Sequence, residues 1–167
     1  MLLEPTNRDA FQSRRPGLLD FPYPAVVMST PRKQNNPARI AVIDDHASFR
    51  AAVCRTLASH GYVAEEHESV TSFIAAGGIV RVDCLVLDVK MPGIGGLSLQ
   101  DCLQRTNYPL PVIFCSGVED EAIRREALAK GAISFLRKPI EPSALFRALK
   151  TALSRGFASK LPAQRRP

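Results

Sequence analysis

Three short segments of this chain are apolar from end to end: Ile40-Ala-Val-Ile43, Cys84-Leu-Val-Leu87 and Val112-Ile-Phe-Cys115. A strand with one wet face alternates polar and apolar residues, so unbroken runs of this kind imply cover on both faces. That is the setting of a central strand in a parallel sheet with helices above and below. Tyr62-Val-Ala-Glu-Glu-His67 is more polar, as an edge strand is, and Ile133-Ser-Phe-Leu136 is a fifth strand. Between the strands, helical patterns fall at about 47–59, 70–76, 96–106, 120–130 and 142–154. In the last of these, Leu145, Phe146, Leu149 and Leu153 recur at helical spacing, and Pro142 suits the first turn. Gly61 and Gly131 stand where helices stop. Strand and helix thus alternate five times with no internal repeat. The pattern predicts an α/β fold, (βα)5, whose doubly wound, parallel five-stranded sheet carries helices on both faces.

What ends each strand narrows the chemistry. The first apolar strand runs into Asp44-Asp45, the third into Asp88, the fourth into Ser116 and the fifth into Lys138-Pro139. In open α/β sheets, ligands bind at the carboxyl ends of strands near the point where strand order reverses. With strand order 2-1-3-4-5 the polar second strand is an edge, and all of these groups converge on one crevice. This convergence is more specific than any single motif in the chain.

Carboxylates crowded together repel one another, and a hard divalent cation relieves the repulsion. Mg²⁺ keeps waters and suits one or two carboxylates plus a phosphate oxygen. A carboxylate can also act as nucleophile and form an aspartyl phosphate. Phosphoryl transfer then rests on positioning and on neutralising the equatorial oxygens, tasks suited to a metal and a lysine. Taken singly the residues are bland: Asp44 and Asp45 read as solvated strand-end acids or helix caps, Ser116 as a turn residue, Lys138 as a surface lysine. Their combination reverses that reading.

The motifs Ile40-Ala-Val-Ile-Asp-Asp45, Leu87-Asp88-Val-Lys-Met-Pro-Gly-Ile-Gly-Gly96, Phe114-Cys-Ser-Gly117 and Phe135-Leu-Arg-Lys-Pro139 resemble the receiver domain of two-component response regulators, a flavodoxin-like, CheY-like family. The resemblance spans about 40–154, roughly two thirds of the chain. It implies that Asp88 is the phosphoacceptor, taking a phosphoryl group from a histidine kinase or phosphotransfer protein. Asp45 would bind Mg²⁺ directly, Asp44 mainly through a water, and the backbone carbonyl of Lys90 would complete the protein ligands beside Asp88. Lys138, ahead of a cis proline, would pair with the phosphoryl oxygens. Ser116 would hydrogen-bond the phosphoryl group and Phe135 would follow as switch aromatic. The face built from helix 4, strand 5 and helix 5 would then change toward an unknown downstream protein. Self-catalysed phosphotransfer and dephosphorylation would be the only chemistry, so the chain is not expected to be an enzyme. Departures from the family pattern are small: Ser116 stands in place of the commoner Thr, Gly117 in place of Ala, and Phe135 lacks the hydroxyl of the alternative Tyr. Lys90 and Val118 occupy positions that influence phosphoryl lifetime in the family.

Composition bears mainly on partners and on the flanks. The 167 residues carry a net charge of +6, yet 13 acidic and 12 basic residues lie between Ile40 and Ser154, whereas the flanks hold 3 and 10. The basicity therefore belongs to tails, and no direct DNA binding is expected. The division read from the sequence is a disordered, proline-containing extension over 1–38, a receiver over 39–155 and a basic tail over 156–167. Met28 is an alternative translation start. No apolar run approaches the roughly 20 residues needed to span a bilayer, and no apolar leader opens the chain. Cys54, Cys84, Cys102 and Cys115 form no C-x-x-C pair, and Cys84 and Cys115, inside apolar runs, read as reduced, buried thiols, which points to the cytoplasm. His46, His60 and His67 lack zinc spacing, and His46 reads as an exposed helix-start residue. With few residues after the last helix, the expectation is a stand-alone receiver that signals to a partner protein. A phosphate sink without output is the alternative, and homodimerisation on phosphorylation is left open. A small Asp-nucleophile phosphohydrolase is disfavoured because Lys90 stands where its second acid belongs. A flavin-binding protein is disfavoured because Asp44 and Asp45 would repel the flavin phosphate.

Overall fold

The computed structural model describes residues 36–106, 108 and 110–159, the last five of these by their backbone alone. The extension before residue 36, with Met28, and the tail from 160 lie outside the described residues. The five strands are β1 (Arg39–Ile43), β2 (Val63–His67), β3 (Cys84–Asp88), β4 (Val112–Ser116) and β5 (Ser134–Arg137). The helices are α1 (Ala47–Ser59), α2 (Val70–Ala75), α3 (Gly96–Arg105), α4 (Glu121–Ala129) and α5 (Pro142–Ser159), with a 3₁₀ turn at Gly78–Val80. All strand pairs are parallel and the order is β2-β1-β3-β4-β5.

Strand alternation sorts the apolar runs into two cores. Ile40, Val42, Cys84, Val86, Ile113 and Cys115 point to the side of α1 and α5, where Leu57, Leu145 and Leu149 close over them. Ala41, Ile43, Leu85, Leu87, Val112 and Phe114 point the other way, onto Phe73, Leu99 and Leu103. Both faces are dry, which is why these strands need no polar alternation. β2 is one of the two edge strands, and its Glu65 pairs with Arg39 at 2.6 Å and with Arg81 at 3.4 Å.

Local chemistry sets the helix ends. The Ser69 hydroxyl accepts from the Ser72 N–H at 3.1 Å to start α2, and the Asp120 carboxylate accepts from the Ile123 N–H at 3.1 Å to start α4. α1 and α4 are followed by Gly61 and Gly131 at φ of 80° and 81°, a conformation that glycine adopts without a Cβ clash. At its far end α4 is tied to α3, because buried Gln100 donates to the carbonyls of Ala127 and Lys130 at 3.2 and 2.9 Å. The last helix differs from expectation: it runs to Ser159, so residues 156–159 of the expected tail are helical. Gly156 costs such a helix only about 1 kcal/mol, and no proline intervenes before Pro162.

Candidate functional site

The two-residue alternation that builds the cores also aims the strand-end groups. Asp44 continues the register of Val42, Asp88 that of Val86 and Lys138 that of Leu136, and all three of those apolar residues lie on the α1/α5 side. Asp44, Asp88 and Lys138 therefore emerge together at the carboxyl edge of the sheet, over α1. Ser116 continues the register of Val112 and Phe114 and leaves on the opposite side.

Asp44 is wholly buried, Asp88 is 4% exposed, and Asp45 stands at the surface. Lys138 Nζ lies 2.5 Å from Asp44 Oδ2 and 3.2 Å from Asp88 Oδ2, and 4.3 Å above the ring of Phe49 on α1. The bond from Lys138 to Pro139 is cis, and the Lys138 N–H donates to the Ser116 carbonyl at 2.8 Å, holding β5 beside β4 at this edge. Asp44 Oδ1 accepts the His46 N–H at 2.9 Å, while Arg50 of α1 donates to the Asp44 main-chain carbonyl at 2.6 Å. Both oxygens of Asp44 are thus occupied. Asp45 Oδ1 meets the His46 ring at 2.8 Å.

Burial pushes the Asp88 carboxyl above its ordinary range; Lys138 opposes that shift and the nearby negative charge of Asp44 adds to it. Burial works against the Lys138 ammonium, but the hydrogen bond it donates to Asp44 and the charge of Asp88 outweigh it, so this lysine holds its proton more tightly than usual. Three of the thiols are of another kind: burial pushes Cys54 up to about 11 and raises Cys84 and Cys115 as well, so none of these three is a ready nucleophile.

The sequence-predicted groups meet only in part. Asp44, Asp45, Asp88 and Lys138 converge. The Lys90 side chain is exposed, and its N–H donates to Asp88 Oδ1 at 3.4 Å. Ser116 is buried but turned to its own loop, donating to the Val118 carbonyl at 3.0 Å and accepting the Val118 N–H at 3.1 Å. Phe135 is half-buried, its ring 6.4 Å from that of Phe114. Between Ser116 and Phe135 opens a cavity of about 400 Å³, bordered by Val118, Glu119, Arg124 and Arg137. Two residues were undervalued in the sequence. The His46 ring joins the carboxylates, one ligand atom each of Asp44, Asp45, His46 and Asp88 lying within 4.8 Å of the others. Arg50 braces the acidic loop. Adjacency to the acid pair was the signal for His46, whereas nothing short of the packed helix points to Arg50.

The donor set fits a hard divalent cation. It offers carboxylate oxygens in a partly open cluster, with Asp45 exposed and both Asp44 oxygens already engaged, so Asp44 suits contact through water.

A doubly wound parallel sheet with an acidic pair, a lone aspartate and a lysine at its carboxyl edge defines a class of protein built for phosphoryl chemistry on a carboxylate. A profile of the response regulator receiver domain matches residues 40–150, and the chain belongs to that family. It is 35% identical over 122 residues to the transcriptional regulatory protein TdiR of Thauera aromatica, a match covering 73% of this chain and 54% of TdiR. It is also 35% identical over 116 residues to the transcriptional regulatory protein FixJ of Azorhizobium caulinodans, covering 70% and 55%. The crystal structure of FixJ-N superposes with a TM-score of 0.65 at 28% identity, over 71% of this chain and 95% of that one. The chain spans about half the length of the curated relatives it matches. Phosphorylation on aspartate and use of Mg²⁺ are general features of the family. Among the described residues no helix is long and apolar enough to cross a membrane.

Proposed function

We propose that residues 39–155 form a receiver whose Asp88 takes a phosphoryl group from the phosphohistidine of a sensor kinase or phosphotransfer protein, and that the phosphorylated form signals to a separate partner protein. One observation carries this reading: the Asp88 carboxylate is buried at the end of a central strand, with a lysine ammonium on one of its oxygens and an acidic pair alongside. A carboxylate so placed has a counter-charge ready for the incoming phosphoryl oxygens.

In the transfer an Asp88 oxygen forms the new O–P bond as the P–N bond to the donor histidine breaks and its electron pair returns to the imidazole. Bound Mg²⁺ would neutralise phosphoryl oxygens and offset the repulsion among the carboxylates. Asp45, Asp88 and the Lys90 carbonyl would hold it directly, and Asp44 would hold it through water. Lys138 would exchange part of its contact with Asp88 for a phosphoryl oxygen. Ser116 would leave Val118 to hydrogen-bond the phosphoryl group, and the cavity beside it gives Phe135 room to follow. The output surface would then be α4, β5 and α5, where Leu128 and Arg137 are already exposed. Against phosphohydrolase chemistry, position 90 carries an exposed lysine rather than a second acid.

The test is intact mass after incubation with acetyl phosphate, with and without Mg²⁺. A Mg²⁺-dependent gain of one phosphoryl group in the native chain, absent from Asp88→Asn, is the expected result. A gain that survives in Asp88→Asn would move the acceptor elsewhere and overturn the proposal.

A further inference from the structure

His46 is the N-cap residue of α1, but its side chain makes no capping hydrogen bond. The ring turns instead toward the acidic pair: Nδ1 lies 2.8 Å from Asp45 Oδ1 and 3.4 Å from Asp44 Oδ1. Asp44 thus presents one oxygen to His46 and the other to Lys138, so the imidazole and the ammonium flank this carboxylate on separate oxygens. With Asp88, the group offers three oxygen donors and one nitrogen donor within 4.8 Å of one another.

These separations suit one ion. Around a first-row divalent metal, N and O ligands sit at about 2.1 Å, which places neighbouring donors roughly 3.0 to 3.4 Å apart. The two His46 contacts, 2.8 and 3.4 Å, fall close to that range already. The ring is 70% exposed on its side chain, so little else constrains its rotation onto an ion. Imidazole nitrogen is a preferred donor for Fe²⁺, Ni²⁺, Cu²⁺ and Zn²⁺, while Mg²⁺ favours oxygen and retains its waters.

We infer that His46 is a nitrogen ligand of the acidic pocket, giving it a second class of metal, the imidazole-favouring divalent ions, beside Mg²⁺. The inference rests on the reading of this pocket as the receiver's cation site. His46 ligates the softer ions and leaves the oxygen donors alone to serve Mg²⁺. The residue therefore sets metal selectivity rather than phosphoacceptor chemistry.

Calorimetric titration of the full chain, free of any affinity tag, with Ni²⁺ and separately with Mg²⁺ tests this in the native protein, His46→Gln and Asp45→Asn. His46→Gln is expected to weaken Ni²⁺ binding by about tenfold or more, the usual scale for losing a ligand-shell group, and to change Mg²⁺ binding by less than about twofold. Cu²⁺ paramagnetic resonance adds a readout that a merely structural role would not move: coupling to one imidazole nitrogen in the native protein, lost in His46→Gln. Equal weakening of both metals, unchanged Ni²⁺ affinity, or a retained nitrogen signal overturns the inference. If Mg²⁺ still binds the native chain and is lost in Asp45→Asn, the acidic-pocket reading survives that failure. If the native chain binds neither ion, both readings fall.

Discussion

Lys138 reaches across 94 residues of sequence to donate to the buried Asp44 carboxylate at 2.5 Å. The same ammonium stands 3.2 Å from Asp88, so one cation serves two carboxylates from neighbouring strands. The arrangement follows from topology: β1 and β3 pair directly, and β5, on the far side of β4, ends at the same carboxyl edge of the sheet. Buried charges are tolerated only when paired, and here three share one compensation.

Lys138→Ala should therefore cost more than a surface lysine would. It leaves the buried Asp44 carboxylate without the ammonium on its Oδ2, and removing one partner of a buried pair costs roughly 3 kcal/mol. A dication can stand in for the lost ammonium, so millimolar Mg²⁺ should recover more stability in the variant than in the native chain. Urea denaturation of both proteins with and without Mg²⁺ measures this. A variant within experimental error of native stability would show that the carboxylates are not held by Lys138. Acetyl phosphate should also label the variant more slowly, since the counter-charge for the phosphoryl oxygens is gone.

The sheet was legible because its strands are apolar on both faces. The polar composition around Glu65 and Glu66 agrees with the edge place that β2 takes in the order 2-1-3-4-5. Asp44, Asp45, Asp88 and Lys138 were legible because each ends a strand, and parallel strands deliver their ends to one edge. Ser116 and Phe135 are a different matter. Their positions follow from the same rule, but the hydroxyl's choice between its own loop and the site is a rotamer, and sequence spacing carries no rotamer. The end of α5 was missed for a related reason: Gly156 is a weak breaker, and backbone propensity alone does not decide where a helix resting on a core stops.

Gly96 opens α3, where alanine ordinarily stabilises a helix by about 1 kcal/mol relative to glycine. Here the sign should reverse. A Cβ on residue 96 would fall on the backbone carbonyl oxygen of Asp88 and lie 2.9 Å from Phe114 Cε1 and 3.0 Å from Leu87 Cγ. Two of these neighbours are fully buried and the third is main chain, so none yields cheaply. Gly96→Ala is expected to destabilise the fold by about 2 kcal/mol, within the range for overpacked cores. Displacement of the Asp88 backbone should slow phosphorylation by acetyl phosphate in the protein that remains folded. The urea midpoint and the labelling rate check the two effects separately, and a variant as stable as the native chain would refute the close approach.

Asp88 itself should reveal what its placement costs. Burial, aided by the charge of Asp44 and opposed by Lys138, makes this carboxyl hold its proton more tightly in the native state than in the unfolded chain. For an acid shifted in that direction, ionisation weakens folding. The penalty is absent below the unfolded value of about 3.9, grows as pH rises through the raised native value, and is constant above it. Asparagine is neutral throughout and keeps nearly the same shape, while Lys138 retains Asp44 as its partner. Asp88→Asn should therefore be more stable than the native chain at neutral pH without metal, and its advantage should shrink toward zero on acidification. Mg²⁺ favours the ionised carboxylate, so adding it should erode the same advantage at neutral pH. Denaturation midpoints for both proteins between about pH 4 and 8 trace the difference. A difference that is flat across this window, or that grows on acidification, would mean that Asp88 ionises as readily in the fold as out of it.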